Sequence, residues 1–284
     1  MTLFHIKNNN SRAIFFALLI VSILMLSSCG NKKNASNPDN SGEAAVQQTE
    51  GNVAPDTEGA IEPPAVSQEP GQTEIASPTP SAEITGPDVP ECEAASDDYF
   101  SDAAFMGNSL MDGFRLFSGL TTCDYYAATS MTVVGADSKA CITLENGNSG
   151  TLIDGLTQKP YGKIYILLGI NEIGYDVKTF IDLYGKMLDT IIAAQPDCDI
   201  YIMGLTPVSA AKSSSSETFN MTHIKEYNTA LHQLAADKGC YYLDLVSALS
   251  GSDGYLPADK TTDGIHFSAE VYKTWLNYVK THHV

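Results

Sequence analysis

Residues 163–192 read KIYILLGINEIGYDVKTFIDLYGKMLDTII, and this stretch decides the fold. Its first six residues are almost entirely apolar, as in a β-strand that is buried on both faces. From Val177 onward, apolar side chains recur at intervals of three and four residues, which is the spacing of an amphipathic helix. A buried strand followed by such a helix is the repeating unit of a parallel sheet covered by helices.

The same pattern extends in both directions along the chain. Four other apolar runs predict strands at residues 103–106, 127–134, 199–205 and 240–246. Further helices are predicted at residues 109–116, 224–239 and 269–280. Strands that alternate with helices predict a parallel sheet with helices on both faces. Five strands are too few for a barrel of eight units, so we expect one three-layer α/β/α domain over residues 99–284.

The first 28 residues predict a signal peptide. Lys7 and Arg12 supply positive charge, and an apolar stretch over residues 13–26 ends in small residues before Cys29. The stretch is shorter than the ~20 residues that a membrane span needs. A cysteine at this position resembles the lipobox of bacterial lipoproteins, in which that cysteine is lipidated. We therefore expect anchoring at the extracytoplasmic face of the cell membrane. An ordinary secretory signal and an N-terminal transmembrane anchor are the alternatives.

Residues 29–98 have the composition of a disordered tether. They hold most of the chain's 13 prolines, no Phe, Tyr or Trp, and far more acidic than basic residues. Such a segment buries too little apolar surface to offset the entropy lost on ordering. Proline and like-charge repulsion keep it extended. We expect it to hold the domain away from the membrane.

The charge of the chain restricts its partners. The formal net charge is −18, and the folded part shares this acidity. Nucleic-acid binding needs a concentrated basic face, so nucleic acid is not an expected partner. No basic patch for anionic lipid is visible either. We expect a monomer with a neutral or cationic substrate.

The cysteines leave several pairings open. Apart from Cys29, an odd number of the 6 cysteines remains, and none has the spacing of a zinc site. Cys198 and Cys240 each precede a predicted strand and could pair if those strands are neighbours. A disulfide between Cys123 and Cys141 is a second possibility. A third is that all five cysteines are free thiols.

Polar motifs lie at the carboxyl ends of the predicted strands, where sheets of this kind bind ligands. GNSL at residues 107–110 places Ser109 near a helix N-terminus, which favours developing negative charge. Ser109 could also simply cap that helix. In DGIH at residues 263–266, Asp263 lies three residues before His266 and could orient its ring for proton transfer.

Two further positions could supply hydrogen-bond donors. Asn171, in GIN at residues 169–171, offers a side-chain amide, although asparagine is also common in turns. Gly135 follows the second predicted strand and offers a backbone N–H, although loop glycines usually serve backbone geometry alone.

Together, GNSL, Gly135, GIN and DGIH resemble the four sequence blocks of the SGNH (GDSL-type) hydrolases, in order along the whole folded part. The resemblance implies a flavodoxin-like fold, ester hydrolysis and no cofactor or metal. It also implies that Ser109 is the nucleophile, His266 the base and Asp263 its partner. The oxyanion hole would consist of the Ser109 and Gly135 N–H groups and the Asn171 amide. Two features depart from the family pattern: Asn108 replaces the usual Asp, and the block around Gly135 is loose.

The sequence thus predicts an exported esterase that removes small acyl groups, O-acetyl above all, from a glycan. A lysophospholipase, a thioesterase and an O-acyltransferase of the same fold are alternatives. A non-catalytic glycan-binding lipoprotein is another, but it would be expected to have lost part of the set of site residues. Substrate choice is expected to depend on two loops, residues 209–219 and 250–262.

Overall fold

A computed structural model describes residues 86–284. The predicted signal peptide, Cys29 and the tether up to residue 85 lie outside the described residues. Within the described part, no helix is both long enough and apolar enough to cross a membrane.

Residues 86–284 contain seven strands and eight α-helices. The strands are β1 (Ala103–Gly107), β2 (Asp124–Ala127), β3 (Ile142–Thr143), β4 (Ser149–Gly150), β5 (Lys163–Leu167), β6 (Asp199–Met203) and β7 (Tyr241–Leu243). The helices are α1 (Ser109–Phe117), α2 (Gly135–Ser138), α3 (Leu152–Leu156), α4 (Val177–Ala194), α5 (Ala210–Ser215), α6 (Met221–Lys238), α7 (Leu245–Leu249) and α8 (Ala269–Thr281). Two short 3₁₀ helices cover Asp97–Phe100 and Ala258–Lys260.

Five of the strands form one parallel sheet in the order β2-β1-β5-β6-β7. This is the strand order of flavodoxin-like folds, and it confirms the predicted α/β/α architecture. The small strands β3 and β4 form a separate antiparallel hairpin between α2 and α3.

Alternate residues of the strands supply two cores, one on each face of the sheet. Ala104 and Met106 of β1 pack in the core that α3, α4 and α6 cover. Ala103 and Phe105 point the other way, into the core that α1, α7 and α8 cover. On that second face, the ring of Tyr165 stacks 4.5 Å from Phe105 on one neighbouring strand and 4.5 Å from Tyr201 on the other.

Two predicted strands have the wrong bounds. The second was expected at residues 127–134, but β2 ends at Ala127, and the apolar residues beyond it belong to a loop that leads into α2. The last was expected at residues 240–246, but β7 ends at Leu243. The Asp244 carboxylate then accepts hydrogen bonds from the Val246 and Ser247 N–H groups and begins α7.

The folded domain begins before residue 99, which corrects the predicted boundary of the tether. Asp88 forms a parallel bridge with Tyr242 of the edge strand β7, and the Tyr242 N–H donates to the Pro87 carbonyl at 2.6 Å. Val89 is buried, and the Cys92 N–H donates to the Thr281 carbonyl at 2.7 Å. Composition alone missed this because the segment is held by backbone hydrogen bonds and by a few side chains, among them the buried Pro87 and Val89.

The cysteines of the described part are free thiols. They are Cys92, Cys123, Cys141, Cys198 and Cys240. Neither of the two disulfides that the sequence left open is formed.

Candidate active site

The junction of β1 and α1 presents Ser109 at the carboxyl edge of the sheet. Asn108, and not Ser109, caps α1, because its Oδ1 accepts a hydrogen bond from the Leu110 N–H at 3.0 Å. A Cβ atom on Gly107 would lie 2.6 Å from the Leu167 carbonyl oxygen, so the turn requires glycine. Ser109 is therefore the first helical residue, and its N–H has no acceptor within the helix.

The loop before α8 places Asp263 beside His266. Asp263 Oδ2 lies 2.7 Å from His266 Nδ1. Its other oxygen, Oδ1, accepts the N–H groups of Ile265 at 2.9 Å and His266 at 2.8 Å. Gly264 has a φ of +84°, which glycine adopts without strain, and its carbonyl accepts the Ser209 N–H at 2.9 Å. The loop thus fixes both residues relative to the sheet.

Ser109 and His266 meet at this edge. Ser109 Oγ lies 3.0 Å from His266 Nε2, so Ser109, His266 and Asp263 form a continuous hydrogen-bonded chain. The side chains of His266 and Asp263 are 48% and 49% exposed, so the chain is open to solvent. The arrangement can deprotonate a serine hydroxyl through a histidine whose tautomer a carboxylate fixes.

Asp263 is held in its ionised form. Partial desolvation raises the pKa of its carboxyl, but the hydrogen bonds from His266 and Ile265 outweigh that effect and lower the pKa to about 2. Its negative charge can therefore stabilise a positively charged imidazole ring.

Asn171 lies in the loop that follows β5, as predicted. Its Nδ2 donates one hydrogen to the Met131 carbonyl at 2.8 Å. An amide nitrogen carries two hydrogens, and the exposed side chain leaves the second for a ligand.

Gly135 does not offer a free donor. It begins α2, and its N–H donates to Thr132 Oγ1 at 3.0 Å. The backbone N–H that the sequence assigned to the oxyanion hole is thus already used inside its own loop.

Glu172 is a buried carboxyl beside the site, and no sequence motif indicated its role. Its side chain is 3% exposed and accepts a hydrogen bond from the Val133 N–H. Burial raises the pKa of this carboxyl to about 7. The available signal was an acidic residue directly after Asn171 in an otherwise apolar stretch. No group of His, Cys, Asp and Glu side chains in residues 86–284 is arranged to hold a metal ion.

The sequence pattern of the GDSL-like Lipase/Acylhydrolase family matches residues 105–274, which include all of these site residues. The chain belongs to this family. It is accordingly an enzyme of the carboxylic ester hydrolase type. A search of curated proteins finds no match to the chain.

Solved structures that are similar to this acylhydrolase come from several bacteria. One is a Streptococcus pneumonia protein, provisionally described as a platelet activating factor, which is 18% identical to this chain with a TM-score of 0.51. The alignment covers 65% of this chain and 87% of the Streptococcus chain. A GDSL-like lipase from Bacteroides thetaiotaomicron is 13% identical with a TM-score of 0.47, covering 63% and 86%. The periplasmic domain of a Salmonella ser. Paratyphi A lipopolysaccharide acetyltransferase is 15% identical with a TM-score of 0.46, covering 63% and 82%. The first likeness shows a shared fold.

Proposed function

We propose that this acylhydrolase is an exported, lipid-anchored serine esterase that removes small acyl groups, acetyl above all, from carbohydrate. The observation that carries the proposal is the hydrogen-bonded chain from Ser109 through His266 to Asp263 at an exposed edge of the sheet.

The first half of the reaction forms an acyl-enzyme. Ser109 Oγ attacks the ester carbonyl carbon while His266 Nε2 takes the hydroxyl proton, and the ionised Asp263 stabilises the resulting imidazolium. The carbonyl oxygen becomes an oxyanion that accepts hydrogen bonds from the Ser109 N–H and the second Asn171 Nδ2 hydrogen. When the ester bond breaks, His266 returns the proton to the leaving alcohol.

Water completes the cycle. A water molecule gives a proton to His266 and attacks the acyl-enzyme. The second tetrahedral intermediate then collapses as His266 returns this proton to Ser109 Oγ, which releases the acid and the free serine. The exposure of His266 and Asp263 supports water as the acceptor, because solvent reaches the base directly.

The exposure of the triad and the few exposed apolar side chains beside it support an acyl group that is small and carried on a large polar molecule. A half-exposed triad can reach an ester on a polymer, whereas a long acyl chain needs an apolar surface. Among the exposed large apolar side chains of residues 86–284, only Val134 and Tyr175 lie on the loops beside Asn171 and Gly135. The acidity of the chain further favours a neutral or cationic carbohydrate.

The catalytic proposal is tested with the full chain carrying Cys29→Ala, purified and assayed on aryl acetate, butyrate and decanoate esters. Turnover that is fastest on acetate and lost in Ser109→Ala is expected. Ser101→Ala is the matched control, since Ser101 is an exposed serine just before β1, at the opposite end of that strand from Ser109. If the parent protein neither turns over the esters nor reacts with a fluorophosphonate probe, the proposal fails. Activity that survives Ser109→Ala identifies another nucleophile.

The natural substrate class is tested with a panel of acetylated polysaccharides. Release of free acetate is expected, at a rate that falls to background in Ser109→Ala. Transfer of labelled acetate to an added sugar would indicate an acyltransferase, and faster cleavage of lysophospholipid would indicate a lipase.

The anchor is tested separately by membrane fractionation of the full chain. The wild type is expected in the membrane fraction after a high-salt wash, and Cys29→Ala in the soluble fraction. An equal distribution of the two proteins would contradict lipidation at Cys29 without affecting the catalytic proposal.

A further inference from the structure

Two adjacent side chains of the loop after β5 hold the loop after β2. Asn171 Nδ2 donates to the Met131 carbonyl at 2.8 Å, and Glu172 Oε1 accepts the Val133 N–H. The residues that are held, Met131 and Val133, are buried and lie two positions apart. The orientation of the Asn171 amide therefore depends on where this loop places the Met131 carbonyl.

Glu172 is fixed through its backbone as well as its side chain. The Glu172 N–H donates to the Gly169 carbonyl at 3.0 Å, and the Glu172 carbonyl accepts the Tyr175 N–H at 2.9 Å. The Tyr227 hydroxyl donates to the same carbonyl at 2.8 Å. The carboxyl thus approaches Val133 from a rigid support.

The burial of this carboxyl is costly for the fold. Glu172 is 3% exposed, and its Oε2 is buried with no hydrogen-bond partner among the described residues. A buried polar atom without a partner is rare and costs stability. The other carboxyl oxygen, Oε1, accepts a hydrogen bond only from the loop after β2, which Asn171 also contacts. The buried carboxyl therefore stabilises a loop that belongs to the site.

We propose that Glu172 is a positioning residue for ester hydrolysis, which holds residues 131–135 so that the Asn171 amide points at the oxyanion. This inference rests on the proposed function. When Glu172 no longer holds Val133, the Met131 carbonyl shifts and the Asn171 amide loses its fixed orientation. Misplacement of a group by about 1 Å costs on the order of a hundredfold in rate.

The carboxyl need not be ionised to do this. Burial raises its pKa to about 7, so both protonation states are present near neutral pH. In either state Oε1 can accept the Val133 N–H. Glutamine preserves that acceptor, whereas leucine removes it at a similar volume.

The test compares Glu172→Gln and Glu172→Leu in the full chain carrying Cys29→Ala, with kcat and KM measured on an aryl acetate. The expected kcat is within about threefold of the parent for glutamine and about 10- to 100-fold lower for leucine, with little change in KM. Active-site titration with a fluorophosphonate corrects each rate for the folded fraction. If Glu172→Leu does not fold, Glu172→Asp replaces it, because its shorter side chain draws the carboxyl away from Val133.

A double-mutant cycle separates positioning from a general loss of structure. If Glu172 acts through Asn171, combining Glu172→Leu (or Glu172→Asp) with Asn171→Ala lowers kcat no further than Asn171→Ala alone. The inference is overturned if the losses in kcat of the two single variants multiply in the double variant. It is also overturned if the Glu172 variant that lacks the Val133 contact has the same kcat as the parent. An inactive parent protein would instead overturn the proposed function.

Discussion

Ser109 Oγ and His266 Nε2 lie 3.0 Å apart, although 157 residues separate them in the sequence. Ser109 begins α1, and His266 lies in the loop just before α8. These two helices pack against each other through Phe114 and Trp275, whose ring centroids are 4.6 Å apart. The distance between the hydroxyl and the imidazole therefore depends on the α1–α8 interface.

Gly113→Ala is predicted to disturb this interface. A Cβ atom on Gly113 would lie 2.1 Å from the Tyr272 hydroxyl oxygen, so the buried Tyr272 ring must move or α8 must shift away from α1. We expect the free energy of unfolding to fall by about 1–3 kcal/mol, with a lower kcat because Ser109 and His266 move apart. Chemical denaturation and ester hydrolysis measure the two effects.

The matched control is Gly185→Ala on α4. A Cβ atom there has its nearest neighbour 3.6 Å away, on Leu234, which is ordinary contact. Alanine has the higher helix propensity, so this variant is expected to be as stable as the wild type or up to about 1 kcal/mol more stable. If the two variants have the same free energy of unfolding and the same kcat, the α1–α8 contact does not determine either quantity.

Asp263→Asn is predicted to lower kcat by about 10⁴-fold with a small change in KM. The amide would no longer stabilise the imidazolium or fix the His266 tautomer. The loop can stay folded, because the Asn oxygen can still accept the N–H groups of Ile265 and His266. Steady-state kinetics test this, with Asp197→Asn, at an exposed aspartate in the turn before β6, as the control. A loss below tenfold would mean that Asp263 is not the functional partner of His266.

The elements that the sequence predicted well are those whose own apolar spacing is strong. Strands β5 and β6 and helices α4 and α6 lie within two or three residues of their predicted bounds. Strand β2 was misplaced because Asp124–Ala127 is a half-buried edge strand without alternation, whereas the apolar Met131 and Val133 beyond it are buried in a loop.

The site shows the same distinction. The positions of Ser109, Asn171, Asp263 and His266 followed from strand ends and local motifs. The partners of Gly135 and Glu172 did not, because both depend on how one irregular loop folds. Glu172 contacts Val133, 39 residues away, through a backbone N–H that carries no sequence signal.

Asn171→Ala is predicted to lower kcat by about 10²- to 10³-fold, because one oxyanion donor is lost in the transition state. KM is expected to change little, since an ester carbonyl in the ground state carries less negative charge. Asn277→Ala, on the exposed side of α8, is the matched control. If Asn171→Ala raises KM and leaves kcat unchanged, the amide binds substrate and does not stabilise the oxyanion.

Glu172→Gln is predicted to change how stability depends on pH. The carboxyl in the unfolded chain ionises near its ordinary pKa of 4.5, whereas burial raises the folded pKa to about 7. The unfolded chain therefore binds fewer protons between these values, and Glu172 lowers the stability of the wild type as the pH rises through this window. Its contribution levels off above pH 7.

Glutamine does not titrate, so the variant should gain stability relative to the wild type as the pH rises from 4 to 8. A shift from 4.5 to about 7 corresponds to a gain of up to about 3 kcal/mol. Urea denaturation of both proteins at pH 4, 6 and 8 measures the difference in their free energies of unfolding. All other titrating groups are present in both proteins, so their contributions cancel in this difference. Parallel stability curves would show that the Glu172 carboxyl titrates normally in the folded protein.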